Sequence, residues 1–199
     1  NRLTFRMITS PADADITTLL QAAQAGDRQA LNRLFPLVYE QLLALARSQR
    51  RRWQGDLTLN TTAIAHEAYL KLVDRNIAAS ASREHFFAIV AKAMRHILCN
   101  YARDRRRLKR GGGAEHVSIE DEIHALTLDL PDSQADELAA LDDALSRLEQ
   151  LHERQSQVVE CRFFAGMSIE ETASALQLSP ATVKRDWTLA RAWLHRELA

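Results

Sequence analysis

Near the C-terminus, Ala181, Thr182, Lys184, Arg185 and Thr188 have the types and spacing of one exposed face at the start of a helix. Small side chains permit close approach. Lysine and arginine donate to guanine acceptors or to phosphate oxygens. The chemistry on offer is recognition of a polyanion, not the making or breaking of bonds. Ser179 before Pro180 supplies the start of that helix, with serine as N-cap and proline at the first helical position. A helix N-terminus itself favours a phosphate. A second concentration of cations lies upstream. Residues 47–110 carry 15 Lys/Arg against 5 Asp/Glu, and residues 111–153 carry 1 against 12. The zero net charge therefore conceals two opposed blocks, which implies a nucleic-acid surface followed by an acidic connector. Solvated helix faces with chance clustering are the plainer account, and the concentration of the basic block argues against it.

The other residues able to do chemistry are not assembled into a site. His66-Glu67 begins like a zinc-protease motif, but the second histidine it needs would stand at position 70, which is Leu70. The seven histidines show no metal-ligand spacing, so neither metal nor cofactor is expected. Gly111, Gly112 and Gly113 lack the preceding strand and the lysine-serine ending of a phosphate loop. Asp142 and Asp143 read as surface charges rather than a catalytic pair. With no catalytic constellation, the chain is not read as an enzyme. Cys99 and Cys161 sit inside helical patterns and read as reduced thiols. There is no run of about 18 apolar residues that could span a membrane. The N-terminus lacks the apolar core of a signal peptide, so a cytoplasmic location is expected.

The elements that must position these residues are helical. Residues 16–46 show two helices, the first capped by Asp15, the second by Asp27 after the Gly26 break, with Pro36 inside the second pattern. Residues 49–58 read as a polar loop. A third helix spans 61–73. A fourth starts near Ser82, carries Phe86, Phe87, Val90, Met94, Ile97 and Tyr101 inward, and ends in the arginine run 103–110. Three successive glycines cost about 1 kcal/mol each in a helix, so 111–113 mark a flexible boundary. Helices resume near Ser133, with Leu138, Leu141, Leu145 and Leu148 on one stripe, and another covers 155–164. The expected fold class is all-α: two helical domains, 15–110 and 133–199, joined by a flexible acidic linker at 111–132, after a tail at 1–14.

Ser168-Ile169-Glu170-Glu171 is a capping box. The short helix after it turns Ile169, Ala173 and Leu176 inward, and the turn Gln177-Leu178-Ser179 leads into the helix from Pro180. There Val183, Trp187, Ala190 and Leu194 recur on an inward stripe. Two capped helices across a tight turn form a helix-turn-helix, whose second helix reads a major groove. Glycine is common in that turn; Gln177 stands there instead, at some conformational cost.

With both halves in view, the chain resembles the sigma-70 family of RNA polymerase sigma factors. The stretch "RFFAGMSIEETASALQLSPATVKRDWTLARAWL", within 148–194, is similar to region 4. The pieces "HEAYLKL" and "AKAMRHILCNYARDRRR", within 16–107, are similar to region 2. With no region 3 between them, the layout resembles the bacterial extracytoplasmic-function (ECF) group. The resemblance implies an alternative sigma factor with core RNA polymerase and promoter DNA as partners. It implies that Thr61, Thr62, Ile64, His66, Glu67, Tyr69 and Leu70 dock on the polymerase clamp. It implies that Arg95, His96, Asn100, Arg103, Arg105 and Arg106 contact the −10 element, with a flipped base held by the loop 75–82. Ser179, Ala181, Thr182, Lys184, Arg185 and Thr188 would contact the −35 element.

The match departs from the family at two places. Acidic residues commonly precede the clamp-binding "QE"; here the sequence is Asn60-Thr61-Thr62-Ala63 before His66-Glu67. Phosphothreonine carries about −1.5 to −2 charges, so phosphorylation of Thr61 or Thr62 by a Ser/Thr kinase would restore the charge; the plainer role is a helix cap. His96 stands where the family often has asparagine. An anti-sigma protein is the other regulator the resemblance implies. The rival function is a stand-alone helix-turn-helix regulator, which would have no need of a docking helix followed by an arginine-rich one.

Overall fold

The computed structural model describes residues 11–52, 61–74, 82–109 and 132–199. Its regular elements among them are all helices, with no strand. The elements are α1 (Pro11–Gln24), α2 (Arg28–Arg52), α3 (Thr61–Asp74), α4 (Arg83–Lys109), α5 (Asp132–Val159), a π-helix (Glu160–Phe164), α6 (Ile169–Leu176) and α7 (Pro180–Leu198). Residues 1–10 of the expected tail, 53–58 of the expected polar loop, residues 75–81, the triple glycine and the acidic stretch 115–131 lie outside the described residues.

Local chemistry sets most boundaries. α1 starts earlier than its Asp15 cap would predict, at Pro11, because proline's fixed φ suits the first helical position and its missing N–H costs nothing there. Gly26, at φ 92°, closes α1. Asp27 N–H bonds to the Ala22 carbonyl and Gly26 N–H to that of Ala23, a Schellman closure that needs the left-handed residue between. The Asp27 carboxylate then accepts from the N–H groups of Gln29 (2.8 Å) and Ala30 (3.2 Å), capping α2 as expected. Ser82 caps α4 by accepting from His85 N–H at 3.1 Å. α2 continues through the exposed Pro36 and on to Arg52, so Gln49, Arg50, Arg51 and Arg52 are helical rather than a loop.

The predicted stripes form the core. Ile16 and Leu20 of α1, Leu34, Val38 and Leu42 of α2, Ile64 and Ala68 of α3, and Phe86, Phe87, Val90, Met94 and Ile97 of α4 are buried together. The same core runs on without a break through Leu138, Leu145 and Leu148 of α5 and Phe164 of the π-helix. α4 is the shared wall: α1 and α3 pack on it from the N-terminal half, and α5, the π-helix and α6 pack on it from the C-terminal half. A second, smaller core of Val158, Ala173 and Val183, with Ile169, Leu176, Leu178 and Trp187 against it, sits within the C-terminal helices.

α5 covers more than predicted. It is one run from Asp132 to Val159, bent at His152, whose backbone (φ −149°, ψ 72°) is not helical. The segment expected as a helix over 155–164 is the end of α5 plus the π turn.

Candidate nucleic-acid interface

The C-terminal hairpin has the expected local chemistry. Ser168 Oγ accepts from Glu171 N–H at 3.0 Å, and the Glu171 carboxylate accepts from Ser168 N–H at 2.7 Å, so both halves of the capping box are made. α6 ends on Gln177, held left-handed at φ 54° and ψ 43°. Its neighbours make the same closure as at Gly26, with Leu178 N–H on the Ala173 carbonyl and Gln177 N–H on that of Ser174. A glutamine therefore does what glycine does more cheaply, at a cost of about 1–2 kcal/mol for the left-handed backbone. Ser179 Oγ accepts from Thr182 N–H at 3.1 Å and starts α7.

Burial of Val183, Ala190 and Leu194 leaves Ser179, Ala181, Lys184, Arg185 and Thr188 exposed, with Thr182 half-buried behind its cap. Thr188 spends its hydroxyl on the Lys184 carbonyl at 2.9 Å. The expected recognition face thus has its cations Lys184 and Arg185 toward solvent.

The second basic face has a different fate. Lys92, Arg95, Cys99 and Arg103 recur every three to four residues on one face of α4, and that face is turned against α5 and the π-helix. Arg95 is buried, with 6% of its surface exposed. Its Nε donates to Asp142 Oδ1 at 2.9 Å. Nη1 donates to Glu160 Oε1 at 2.7 Å and to Glu149 Oε2 at 3.4 Å. Nη2 donates to Ser146 Oγ at 2.9 Å and to the Asp142 carbonyl at 3.3 Å. All five guanidinium donors are accounted for by residues 47 to 65 positions away. Arg103 also bonds to Asp142, and Lys92 to Glu149 at 3.1 Å. Asp142, expected as a surface charge, is instead 4% exposed and is the centre of this cluster. Burial pushes the Glu160 carboxyl up despite its Arg95 bond. Glu149, nearer solvent, is lowered: its desolvation is outweighed by Lys92 and Arg95 together.

The cluster was legible only as two halves. Lys92, Arg95 and Arg103 make a cationic stripe beside an apolar one, and Asp142, Ser146 and Glu149 make its complement on α5. Gln49 is a further contact that sequence reasoning missed. Its buried amide donates to the Phe163 and Phe164 carbonyls at 2.9 and 2.6 Å, satisfying acceptors that the π turn leaves open.

The remaining −10 candidates divide. His96 and Asn100 are exposed, and Asn100 accepts from Arg103 at 3.0 Å. Arg105 and Arg106 lie in the last turns of α4, with side chains outside the described set. On α3, Thr62, His66 and Leu70 are exposed, Leu70 at 49%. Glu67 pairs with Lys71 at 3.6 Å. Tyr69 is half-buried, edge-on to Phe35 and Tyr39. Ile64 is fully buried and holds α3 in the core rather than lining an outer face. Thr61 is the first residue of α3. No cluster of metal-binding side chains occurs among the described residues, and none of their helices is long and apolar enough to cross a membrane.

Compared with known proteins, the chain matches the family model of ECF sigma factors over residues 13–199. No curated protein and no solved structure matches it.

Proposed function

Because the chain belongs to the ECF sigma factor family, we propose that it directs core RNA polymerase to specific promoters, acting in the cytoplasm without catalysing a reaction itself. The observation that carries the reading is the doubly capped hairpin α6–α7, which leaves Ala181, Lys184, Arg185 and Thr188 on one solvent-facing surface for the −35 duplex. α3, with His66 and Leu70 exposed, is the docking helix for the polymerase clamp. α4 is the −10 reader, with His96 and Asn100 outward. The assignment of 15–110 and 133–199 as separate domains, with 111–132 as linker, belongs to this proposal.

In the described arrangement Arg95 and Arg103 face α5, so engagement of the −10 element by these two residues requires α4 and α5 to part. Binding of α3 to core polymerase and of α7 to the −35 duplex, on separate surfaces, supplies the means. An anti-sigma protein would act in the opposite sense.

Regulation by a Ser/Thr kinase is favoured by one feature of α3. Its first turn contains no acidic residue, and Thr62 is exposed there. A phosphate at a helix N-terminus is stabilised by the dipole and restores the negative charge that the docking helix lacks.

The test is reconstitution with core polymerase and a promoter-dependent transcription assay, with and without kinase. Specific initiation supports the sigma reading. Initiation only after phosphorylation, lost in Thr62→Ala and present in Thr62→Glu without kinase, supports the switch; full activity of the unmodified chain sinks it. Tight binding to duplex DNA with no binding to core polymerase would favour the stand-alone regulator.

A further inference from the structure

α7 carries an acidic residue next to its cationic face. Asp186 follows Lys184 and Arg185 and has only 1% of its side chain exposed. An unneutralised carboxylate there would oppose a phosphate backbone. Two arginines attend it. Arg154, from the part of α5 beyond the His152 bend, grips it with Nε on Oδ2 at 2.6 Å and Nη2 on Oδ1 at 3.3 Å. Arg185 Nε lies 3.8 Å from Oδ1. The trio therefore carries one net positive charge.

Both guanidiniums stay largely in solvent, Arg154 at 51% and Arg185 at 65% exposure. The grip on Asp186 uses two of the five N–H donors of Arg154. The others are held on a side chain whose orientation is already fixed, which lowers the entropy lost in forming a further bond. A surface arginine pinned in this way, beside the outward face of a recognition helix, is an anion-binding group prepared in advance. Planar guanidinium donors match phosphate oxygens in pairs.

We propose that Arg154, aligned by Asp186 and paired with Arg185, is a phosphate-binding residue for the −35 duplex, lying outside the helix-turn-helix itself. Asp186 is its positioning residue. The contact adds affinity without reading sequence, because phosphates carry no base identity. The proposal rests on the reading that α7 enters the −35 major groove.

The experiment uses the reconstituted holoenzyme. A duplex is first selected by the wild type from a pool randomised at −35. Binding of this duplex and of a scrambled one is then measured across a salt series. One phosphate contact is worth a slope of about 0.9 in log K against log salt, or about fivefold in affinity near 0.15 M salt. Arg154→Gln is expected to weaken both duplexes by about that factor and to lower the slope by about one. Arg154→Lys, which keeps the charge but not the paired grip, is expected to keep the wild-type slope. If Arg154 only props α7, Arg154→Gln weakens the selected duplex alone at unchanged slope, and Arg154→Lys falls with it; that result overturns the proposal. An Arg154→Gln holoenzyme that binds both duplexes like the wild type overturns it too, while leaving the −35 reading intact. A wild type that selects no duplex refutes the −35 reading itself.

Discussion

Replacing Arg95 with methionine deletes a guanidinium whose five donors all end on α5 or the π-helix. Asp142 and Glu160 would be left buried without their main cation. Breaking a buried pair from one side costs about 3–5 kcal/mol, mostly as the penalty of the stranded charge. That cost applies only while α4 and α5 stay together, since separation returns the carboxylates to water. The closed arrangement should therefore lose about a hundred- to a few-thousand-fold against the open one, at about 1.36 kcal/mol per decade. Small-angle scattering reads the change directly, as a larger radius of gyration for Arg95→Met at equal helix content. A triple variant, Arg95→Met with Asp142→Leu and Glu160→Met, should restore compactness, because an apolar replacement of a whole buried cluster is often neutral or better. If Arg95→Met stays as compact as the wild type, the buried cluster does not hold the two halves together and the reasoning fails.

Three further outcomes follow from the same geometry. Gln177→Gly should raise stability by up to about 1 kcal/mol, because it removes the side-chain penalty of a left-handed residue without touching the Schellman bonds; a denaturant midpoint that falls instead would show that the glutamine side chain holds the turn. Cys99 and Cys161 are both buried, and burial pushes each thiol up to about 12. Neither should be alkylated at pH 8 until the chain unfolds, and mass spectrometry after a short iodoacetamide pulse checks it. Glu149 has a folded pKa lowered from 4.5 by Lys92 and Arg95, against desolvation. Its contribution is present above pH 4.5 and is lost as pH falls through the folded value. Glu149→Gln should flatten the acid side of a stability-against-pH curve, and an unchanged acid limb would remove Glu149 from the account.

Sequence and structure agree where the determinants are local. Asp27, Ser82, Ser168 and Ser179 each cap a helix through an atom two or three residues away, and such bonds follow from residue order alone. The inward stripes of α4 and α7 follow from helical period. Agreement fails where a partner lies far along the chain. The charge of Arg95 points to DNA and that of Asp142 to the surface, and neither type reveals a partner 47 residues away. Each is buried because the other is there to meet it. The polar neighbours of Gln49 point to a loop; it is instead helical and meets carbonyls more than 110 residues away. The motif position of Ile64 implies a polymerase contact, while the apolar stripe it shares with Ala68 turns it into the core.

The π-helix at Glu160–Phe164 has a bearing on which length changes the gene could tolerate. A π turn accommodates one residue more than the regular turn, and each residue of a helix advances the face by about 100°. Deleting a single residue between Val159 and Ala165 would let that turn relax to an ordinary one, leaving an unbroken α-helix and little loss of local bonding. Because the wide turn absorbs its extra residue within itself, the helix upstream would keep about its present direction relative to α6 and α7. A one-residue deletion in the regular part of α5 would instead rotate one side against the other by about 100° and draw Asp142 or Glu160 away from Arg95. The Glu160–Phe164 turn is thus the place along this helix where the chain can shorten by one residue with the α6–α7 hairpin still hitched to the helix bearing Arg95.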